Sequence, residues 1–162
     1  MRVREVMKTR VYSVSPTTPV SKVASMIAQL RISGVPVLDD AKKLVGIVSE
    51  KDVIKAMYPS YDELINDPVA SRNFEAMEDR YEDLGRILAQ EIMTRGVVTV
   101  PPEMPALQAG SLMIRERIRR LPVVDSQNGN LLGIITLGDI HQALFSQHFL
   151  QEAWEKGITV GK

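Results

Sequence analysis

Cysteine is absent from the 162 residues, which excludes disulfides, zinc–thiolate centres and thiol nucleophiles. Histidine is nearly absent. His141 and His148 lie seven apart on one expected helix face, but no third ligand accompanies them, so no metal site is expected. A net charge is missing too: 20 basic residues balance 20 acidic ones, giving no broad pull toward nucleic acid or anionic lipid. No apolar run approaches the ~20 residues of a membrane span. The opening Met1-Arg2-Val3-Arg4-Glu5 has no apolar core of the signal-peptide kind, and a cytoplasmic address is expected. There is no Gly-rich P-loop, no G-x-G-x-x-G after a strand and no evident nucleophile–base pair, so no catalytic residues are assigned. What is present is an ordinary globular composition, 44% hydrophobic and 25% charged, with one domain's worth of core.

The sequence repeats itself. Val6-Met7-Lys8-Thr9-Arg10-Val11-Tyr12-Ser13-Val14 lies over Ile92-Met93-Thr94-Arg95-Gly96-Val97-Val98-Thr99-Val100, a displacement of 86 residues. At that displacement Pro16, Pro19, Ile32, Pro36, Val37 and Asp39 meet Pro102, Pro105, Ile118, Pro122, Val123 and Asp125. One extra residue in the turn around Asn128-Gly129 moves the register to 87. Leu44-Val45-Gly46-Ile47-Val48-Ser49 then matches Leu131-Leu132-Gly133-Ile134-Ile135-Thr136, and Asp52 matches Asp139. Chance does not hold a register across so many glycines, prolines and acids, so the chain is a tandem duplication.

Each copy reads β-α-β-β-α. A short alternating strand at Val11–Val14 ends in prolines, and Thr18 and Pro19 suit a helix start. Val20, Val23, Ala24, Ile27 and Ala28 form that helix's apolar stripe. Ala106, Ala109, Gly110, Met113 and Ile114 form its counterpart, where Met104 replaces Thr18 and weakens the cap. Ala24 and Gly110 are small enough to let these helices sit close to a sheet. Gly34–Leu38 and Leu44–Val48 are apolar strands, and Asp39-Asp40-Ala41-Lys42-Lys43 between them reads as a hairpin turn. A last helix starts at Ser49 and carries Val53, Ile54 and Met57. One unit of about sixty residues is marginal alone, so the two are expected to pack sheet to sheet.

Between the copies the composition changes. Residues 58–62 read as a loop and residues 71–90 as an acidic amphipathic helix, with Met77, Tyr81, Leu84 and Leu88 on one face. Such a helix either packs on its own module or binds a partner. The tail from Phe149 to Trp154 has an apolar edge that suits an interface or self-packing. The expected organisation is a first motif at 1–57, an acidic helical connector at 58–85, a second motif at 86–146 and a tail at 147–162.

With this repeat in hand, the sequence resembles a tandem pair of CBS (cystathionine β-synthase) domains, a Bateman module. The pieces that carry the resemblance are Ser15-Pro16 and Pro101-Pro102, Gly34-Val35-Pro36-Val37 and Arg120-Leu121-Pro122-Val123. The last are Gly46-Ile47-Val48-Ser49-Glu50-Lys51-Asp52 and Gly133-Ile134-Ile135-Thr136-Leu137-Gly138-Asp139. The resemblance implies an α/β (α+β) fold, two β-α-β-β-α repeats packed as a pseudo-two-fold pair with a helical connector. It also implies a regulatory role in which clefts between paired motifs bind AMP, ADP, ATP or S-adenosyl compounds.

Ser49-x-x-Asp52 and Thr136-x-x-Asp139 fit the ribose and phosphate positions of such sites: a carboxylate accepts from a ribose diol, and a helix start suits phosphate. The same pattern is also a capping box, and the two roles can coexist. Arg120 stands where relatives carry a phosphate-binding basic residue, with Arg117 and Arg119 near; the first copy has Ser33-Gly34 there. The arginines alternatively complement a helix C-terminus. Carried over by position, one cleft would use Met7, Arg10, Tyr12, Ile32, Ser33 and Pro36 with Ile134, Thr136 and Asp139. The other would use Met93, Gly96, Val98, Ile118, Arg120 and Pro122 with Ile47, Ser49 and Asp52. With Arg120 and Lys51, this second cleft is expected to hold phosphate more tightly.

The functional expectation is a free-standing, non-enzymatic adenosine-nucleotide sensor, assembling as a homodimer and signalling to a regulated protein partner. The ligand would be regulatory, with no cofactor required, no membrane contact and no nucleic acid. A ligand-free interaction protein working through its connector helix and tail is the alternative. A link to an enzyme of acetoin or nucleotide metabolism rests only on where such modules occur.

Overall fold

The computed structural model describes residues 1–69 and 73–148. The expected interface at Phe149–Trp154 therefore lies outside the described residues, as do positions 70–72 of the connector. The chain divides into two compact units, and neither is a single repeat: one joins residues 1–11 to the described residues 98–148, the other lies within residues 12–97.

In the unit of residues 12–97, helix α2 (Val20–Leu30) packs behind a hairpin of β1 (Gly34–Leu38) and β2 (Leu44–Ser49), followed by α3 (Glu50–Met57). The hairpin is antiparallel, from Gly34 opposite Ser49 to Leu38 opposite Leu44. Its turn is set by Asp39, whose Oδ1 accepts from the Lys43 N–H at 2.8 Å, and by Lys42 in the left-handed region (φ 63°). The expected strand at residues 11–14 is reduced to one parallel bridge, Val14 to Val37. On the far edge Thr94 bridges Ile47. Val20, Val23, Val35, Val37, Val48 and Leu84 are fully buried in this unit's core.

The unit of residues 1–11 and 98–148 repeats the plan. Helix α1 (Val3–Val6) precedes α7 (Ala106–Arg115), the hairpin β3 (Arg120–Val124) and β4 (Leu131–Thr136), and α8 (Leu137–His148). Val100 bridges Val123, and Lys8 bridges Ile134. These are the counterparts of Val14–Val37 and Thr94–Ile47. The lead-in of each repeat thus edges the hairpin of the other repeat, an exchange that no local pattern announces.

The structure corrects several local expectations. Thr18 does not cap α2: its Oγ1 accepts from the Ser15 N–H at 3.1 Å, and Pro19 holds the N-cap position without a side-chain bond. The first helical N–H donates instead to a carbonyl of the exchanged lead-in, Val20 to Ile87 (2.8 Å) and Ala106 to Met1 (3.2 Å). A side-chain cap is dispensable when a neighbouring backbone takes the orphan donor. Ala28 and Ile114 are exposed, the latter 70%, because both helices bury a narrower stripe than expected. Gly110 faces a helix and not a sheet: a Cβ there would lie 3.4 Å from Ile140 Cδ1 and 3.8 Å from Leu137 Cδ2 of α8.

The connector also differs. A helix α4 (Tyr61–Asn66) starts inside the expected loop, capped by Ser60, whose Oγ accepts from the Glu63 N–H while Glu63 accepts from the Ser60 N–H. The long acidic helix is broken, among the described residues, into α5 (Phe74–Asp79), a 3-10 turn (Glu82–Gly85) and α6 (Ala89–Ile92). Glu75, Glu78, Asp79, Glu82 and Asp83 stack like charges three and four apart, and Gly85 adds a weak helix former. Leu84 still anchors the segment, fully buried against α2.

Candidate functional site

The two Ser/Thr-x-x-Asp motifs sit at the same place in each unit, where the second hairpin strand runs into the last helix. Ser49 is extended (φ −107°, ψ 166°) and its Oγ accepts from the Asp52 N–H at 3.3 Å. Asp52 Oδ2 accepts in return from the Ser49 N–H (2.8 Å) and hydroxyl (2.6 Å). Thr136 and Asp139 repeat the pattern: Oδ2 accepts from the Thr136 N–H (2.9 Å) and hydroxyl (2.6 Å), and the Asp139 N–H donates to Thr136 Oγ1 (3.1 Å). Both motifs are therefore capping boxes. In each, one carboxylate oxygen closes the box and the other, Oδ1, lies outside it.

The two outer oxygens differ. Lys8 Nζ lies 2.9 Å from Asp139 Oδ1, with the lysine side chain 73% exposed and the carboxylate only 11%. Burial alone raises the Asp139 pKa, but the Thr136 hydroxyl and backbone N–H together with the Lys8 ammonium outweigh it, and the carboxyl titrates below its ordinary value. The residue that bridges β2 in the same way is Thr94, which carries no charge. Lys8 is absent from the sequence-derived site. The signal that could have found it is the repeat alignment itself, which sets Lys8 over Thr94 at the lead-in edge.

The glycines of the motif lead-ins have a mechanical reason. A Cβ on Gly133 would stand 2.7 Å from the Lys8 carbonyl oxygen and 2.9 Å from Met7 Sδ. On Gly46 it would meet Met93 Sδ at 2.5 Å and Cγ at 2.8 Å. Each glycine thus seats the exchanged lead-in, and with it Met7 or Met93, against the hairpin. Gly133 also lets the Lys8 backbone reach Ile134, with reciprocal N–H···O bonds of 2.8 and 2.9 Å.

The expected site residues fall as follows. Met7, Arg10, Val98, Ile118, Arg120, Pro122, Ile134, Thr136 and Asp139 belong to the unit containing residues 1–11 and 98–148. Tyr12, Ile32, Ser33, Pro36, Ile47, Ser49, Asp52, Met93 and Gly96 belong to the other. Within the first, Arg120 is half-buried and lies opposite Thr136 in the β3–β4 ladder. Gly34 holds the equivalent place opposite Ser49. Pro36 and Pro122 are buried mid-strand, Met93 is buried and Met7 half-buried, while Tyr12 and Val98 stay 38% exposed. Gly96 is left-handed (φ 63°), a conformation an L side chain resists. Arg31 and Arg117 also take the left-handed region (φ 50° and 56°), turning α2 and α7 sharply into Ile32 and Ile118.

A separate open groove of about 450 Å³ runs along α3, lined by Glu50, Lys51, Ile54, Lys55 and Tyr58. Ile54 and Tyr58 are each about half exposed on it (51% and 53%). Among the described residues no group of three or more His, Asp or Glu is placed to hold a metal ion. Nor is any described helix long and apolar enough to cross a membrane.

These features define a duplicated α/β protein whose repeats each set a hydroxyl–carboxylate box at the start of a helix. The family model of the CBS domain matches residues 3–59 and 89–146, and the chain belongs to the CBS domain family. It is 36% identical over 157 residues to the uncharacterized protein MJ1426 of Methanocaldococcus jannaschii, covering 89% of this chain and 91% of that protein. It is 30% identical to CBSX1, a chloroplastic CBS domain-containing protein of Arabidopsis thaliana, covering 84% of this chain but 60% of that protein. Among solved structures it is similar to CBSX2 in complex with AMP, at 26% identity and a TM-score of 0.69 over 90% of this chain and 97% of that one. The fold is that of a CBS domain pair.

Proposed function

We propose that the protein is a non-catalytic regulatory module that binds an adenosine compound (AMP, ADP, ATP or an S-adenosyl ligand) at one or both of two clefts. The observation that carries the reading is the geometry of Asp52 and Asp139. Each uses Oδ2 for its capping box and keeps Oδ1 outside it, so one carboxylate can hold a helix start and still accept from a ribose hydroxyl. The AMP complex of the similar CBSX2 supports the ligand class. In the unit of residues 1–11 and 98–148, Met7, Arg10, Ile134 and Thr136 would serve the ligand with Asp139. In the unit of residues 12–97, Ile47, Ser49, Met93 and Gly96 would serve it with Asp52.

The groove on α3, with Ile54 and Tyr58 exposed along it, supports assembly through protein contacts, and we take a homodimer as its simplest form. A cytoplasmic setting suits such a sensor. A thermal-shift screen with AMP, ADP, ATP and S-adenosylmethionine tests the ligand reading. A ligand at a hundred times its Kd adds ~2.7 kcal/mol of stability, so at least one of the four raises the melting temperature in a dose-dependent way. A flat response to all four would leave the module to protein–protein contact alone.

A further inference from the structure

The repeats are alike in backbone and unlike in charge at one place. Beside the Thr136–Asp139 box the chain sets one basic residue, Lys8, paired to Asp139 Oδ1 at 2.9 Å. At the matching position beside the Ser49–Asp52 box stands Thr94. The Asp139 box therefore has a compensating positive charge within its own unit, and the Asp52 box has none at the equivalent position. Duplication supplied the same scaffold twice, and only one copy carries a cation at this position.

We propose that Lys8 is a specificity-determining residue that makes the Asp139 half-site select a phosphorylated nucleotide over its nucleoside. This rests on the reading of Asp139 as a ribose acceptor. In the free protein the ammonium occupies Oδ1, the oxygen a ribose hydroxyl needs. A ligand that takes Oδ1 releases the Lys8 side chain, which is 73% exposed, while the backbone bridge to Ile134 keeps the residue in place. A nucleoside gives the displaced ammonium no new partner. A nucleotide offers phosphate oxygens within reach of a four-carbon stem, so the ion pair broken at Asp139 is replaced by another. Asp52 has no such counter-cation at the Thr94 position, and its half-site lacks this means of discrimination.

The asymmetry shifts the weighting drawn from sequence alone, in which Lys51 and Arg120 favoured the Asp52 cleft for phosphate. Lys51 is exposed on the α3 groove, on the side away from Val53 and the core. Lys8, in the lead-in, is the lysine that touches a box carboxylate.

The test is calorimetric titration of the full chain with AMP and with adenosine, for the wild type, Lys8→Met and Thr94→Lys. Methionine keeps an apolar stem and removes the charge. Lys8→Met is expected to lower the AMP-to-adenosine preference at one site by roughly tenfold, the scale of one charged hydrogen bond, chiefly because adenosine no longer has to break the Lys8–Asp139 pair. Thr94→Lys is expected to raise the AMP-to-adenosine preference at the other site. If the wild type binds both ligands and Lys8→Met shifts them equally or not at all, the selectivity role is overturned while the nucleotide reading stands. If the wild type binds neither ligand, the nucleotide reading fails and takes this proposal with it. Chemical-shift titration of the Asp139 carboxyl gives an independent check: its pKa rises in Lys8→Met if the pair exists, and stays put if it does not.

Discussion

Replacing Gly133 by alanine should hurt the protein more than replacing Gly46, although the two residues occupy the same position of the repeat. The new methyl at 133 would lie 2.7 Å from the backbone oxygen of Lys8, against about 3.3 Å or more for a relaxed carbon–oxygen contact. Backbone cannot rotate away, so the lead-in must move and strain the Lys8–Ile134 pair of hydrogen bonds. At Gly46 the clash is with Sδ, Cγ and Cβ of Met93, a side chain with three rotatable bonds. Overpacking costs ~1–3 kcal/mol; the upper part of that range applies to Gly133→Ala and the lower part to Gly46→Ala. For a chain of this size ~1 kcal/mol moves Tm by about 2–4 °C. Thermal unfolding followed by far-UV circular dichroism should therefore separate the variants by several degrees. A Gly46→Ala loss equal to or larger than that of Gly133→Ala would refute the steric reasoning.

Three further outcomes are expected. Asp139 has a lowered pKa in the folded chain, so its contribution to stability is fully present above the unfolded value near ~3.9 and is lost as pH falls through the lower folded value. Asp139→Asn should therefore be less stable than wild type at pH 7, with the gap closing below pH ~4 in urea titrations; a gap independent of pH contradicts this. Glu63, held at about 2 by the Ser60 backbone N–H and by Arg80, keeps its own acid dependence in both proteins. Arg120→Ala should lose much AMP affinity and little adenosine affinity; equal losses would reduce Arg120 to a structural residue of β3. Sedimentation at micromolar concentration should find a dimer, and Ile54→Glu with Tyr58→Glu on the α3 groove should dissociate it; a wild-type monomer of 18.1 kDa would count against assembly.

Much of this molecule is legible in its residues alone. The duplication, the two hairpins, the buried valine stripe of α2 and the boxes at Ser49 and Thr136 all follow from local periodicity and turn chemistry, which act over a few residues. What the pattern hides is non-local. The exchange of lead-ins pairs Lys8 with Ile134 and Thr94 with Ile47 across large sequence separations, and no hydrophobic period encodes it. The helix starts at Val20 and Ala106 look dependent on Thr18 and Met104, but distant carbonyls satisfy them. The connector looks like one helix because its apolar spacing is helical, yet stacked carboxylates and Gly85 break it and leave Leu84 as the anchor. For the site, the carboxylates and Arg120 are visible as motif residues. Lys8 is not, because its importance lies in the bridge that carries it to Asp139.

The most direct test of the central claim is calorimetric titration of AMP into the wild type, Asp52→Asn, Asp139→Asn and the double variant. The carboxylates are proposed as ribose acceptors, one per cleft, and losing a hydrogen bond to a charged group costs ~1.5–3 kcal/mol. Each single variant should weaken one class of site by about ten- to a hundredfold and leave the other intact, and the double variant should weaken both. Circular dichroism of the same samples should show the fold retained. AMP affinity that is unchanged in both single variants would contradict the account and leave Asp52 and Asp139 as helix caps alone.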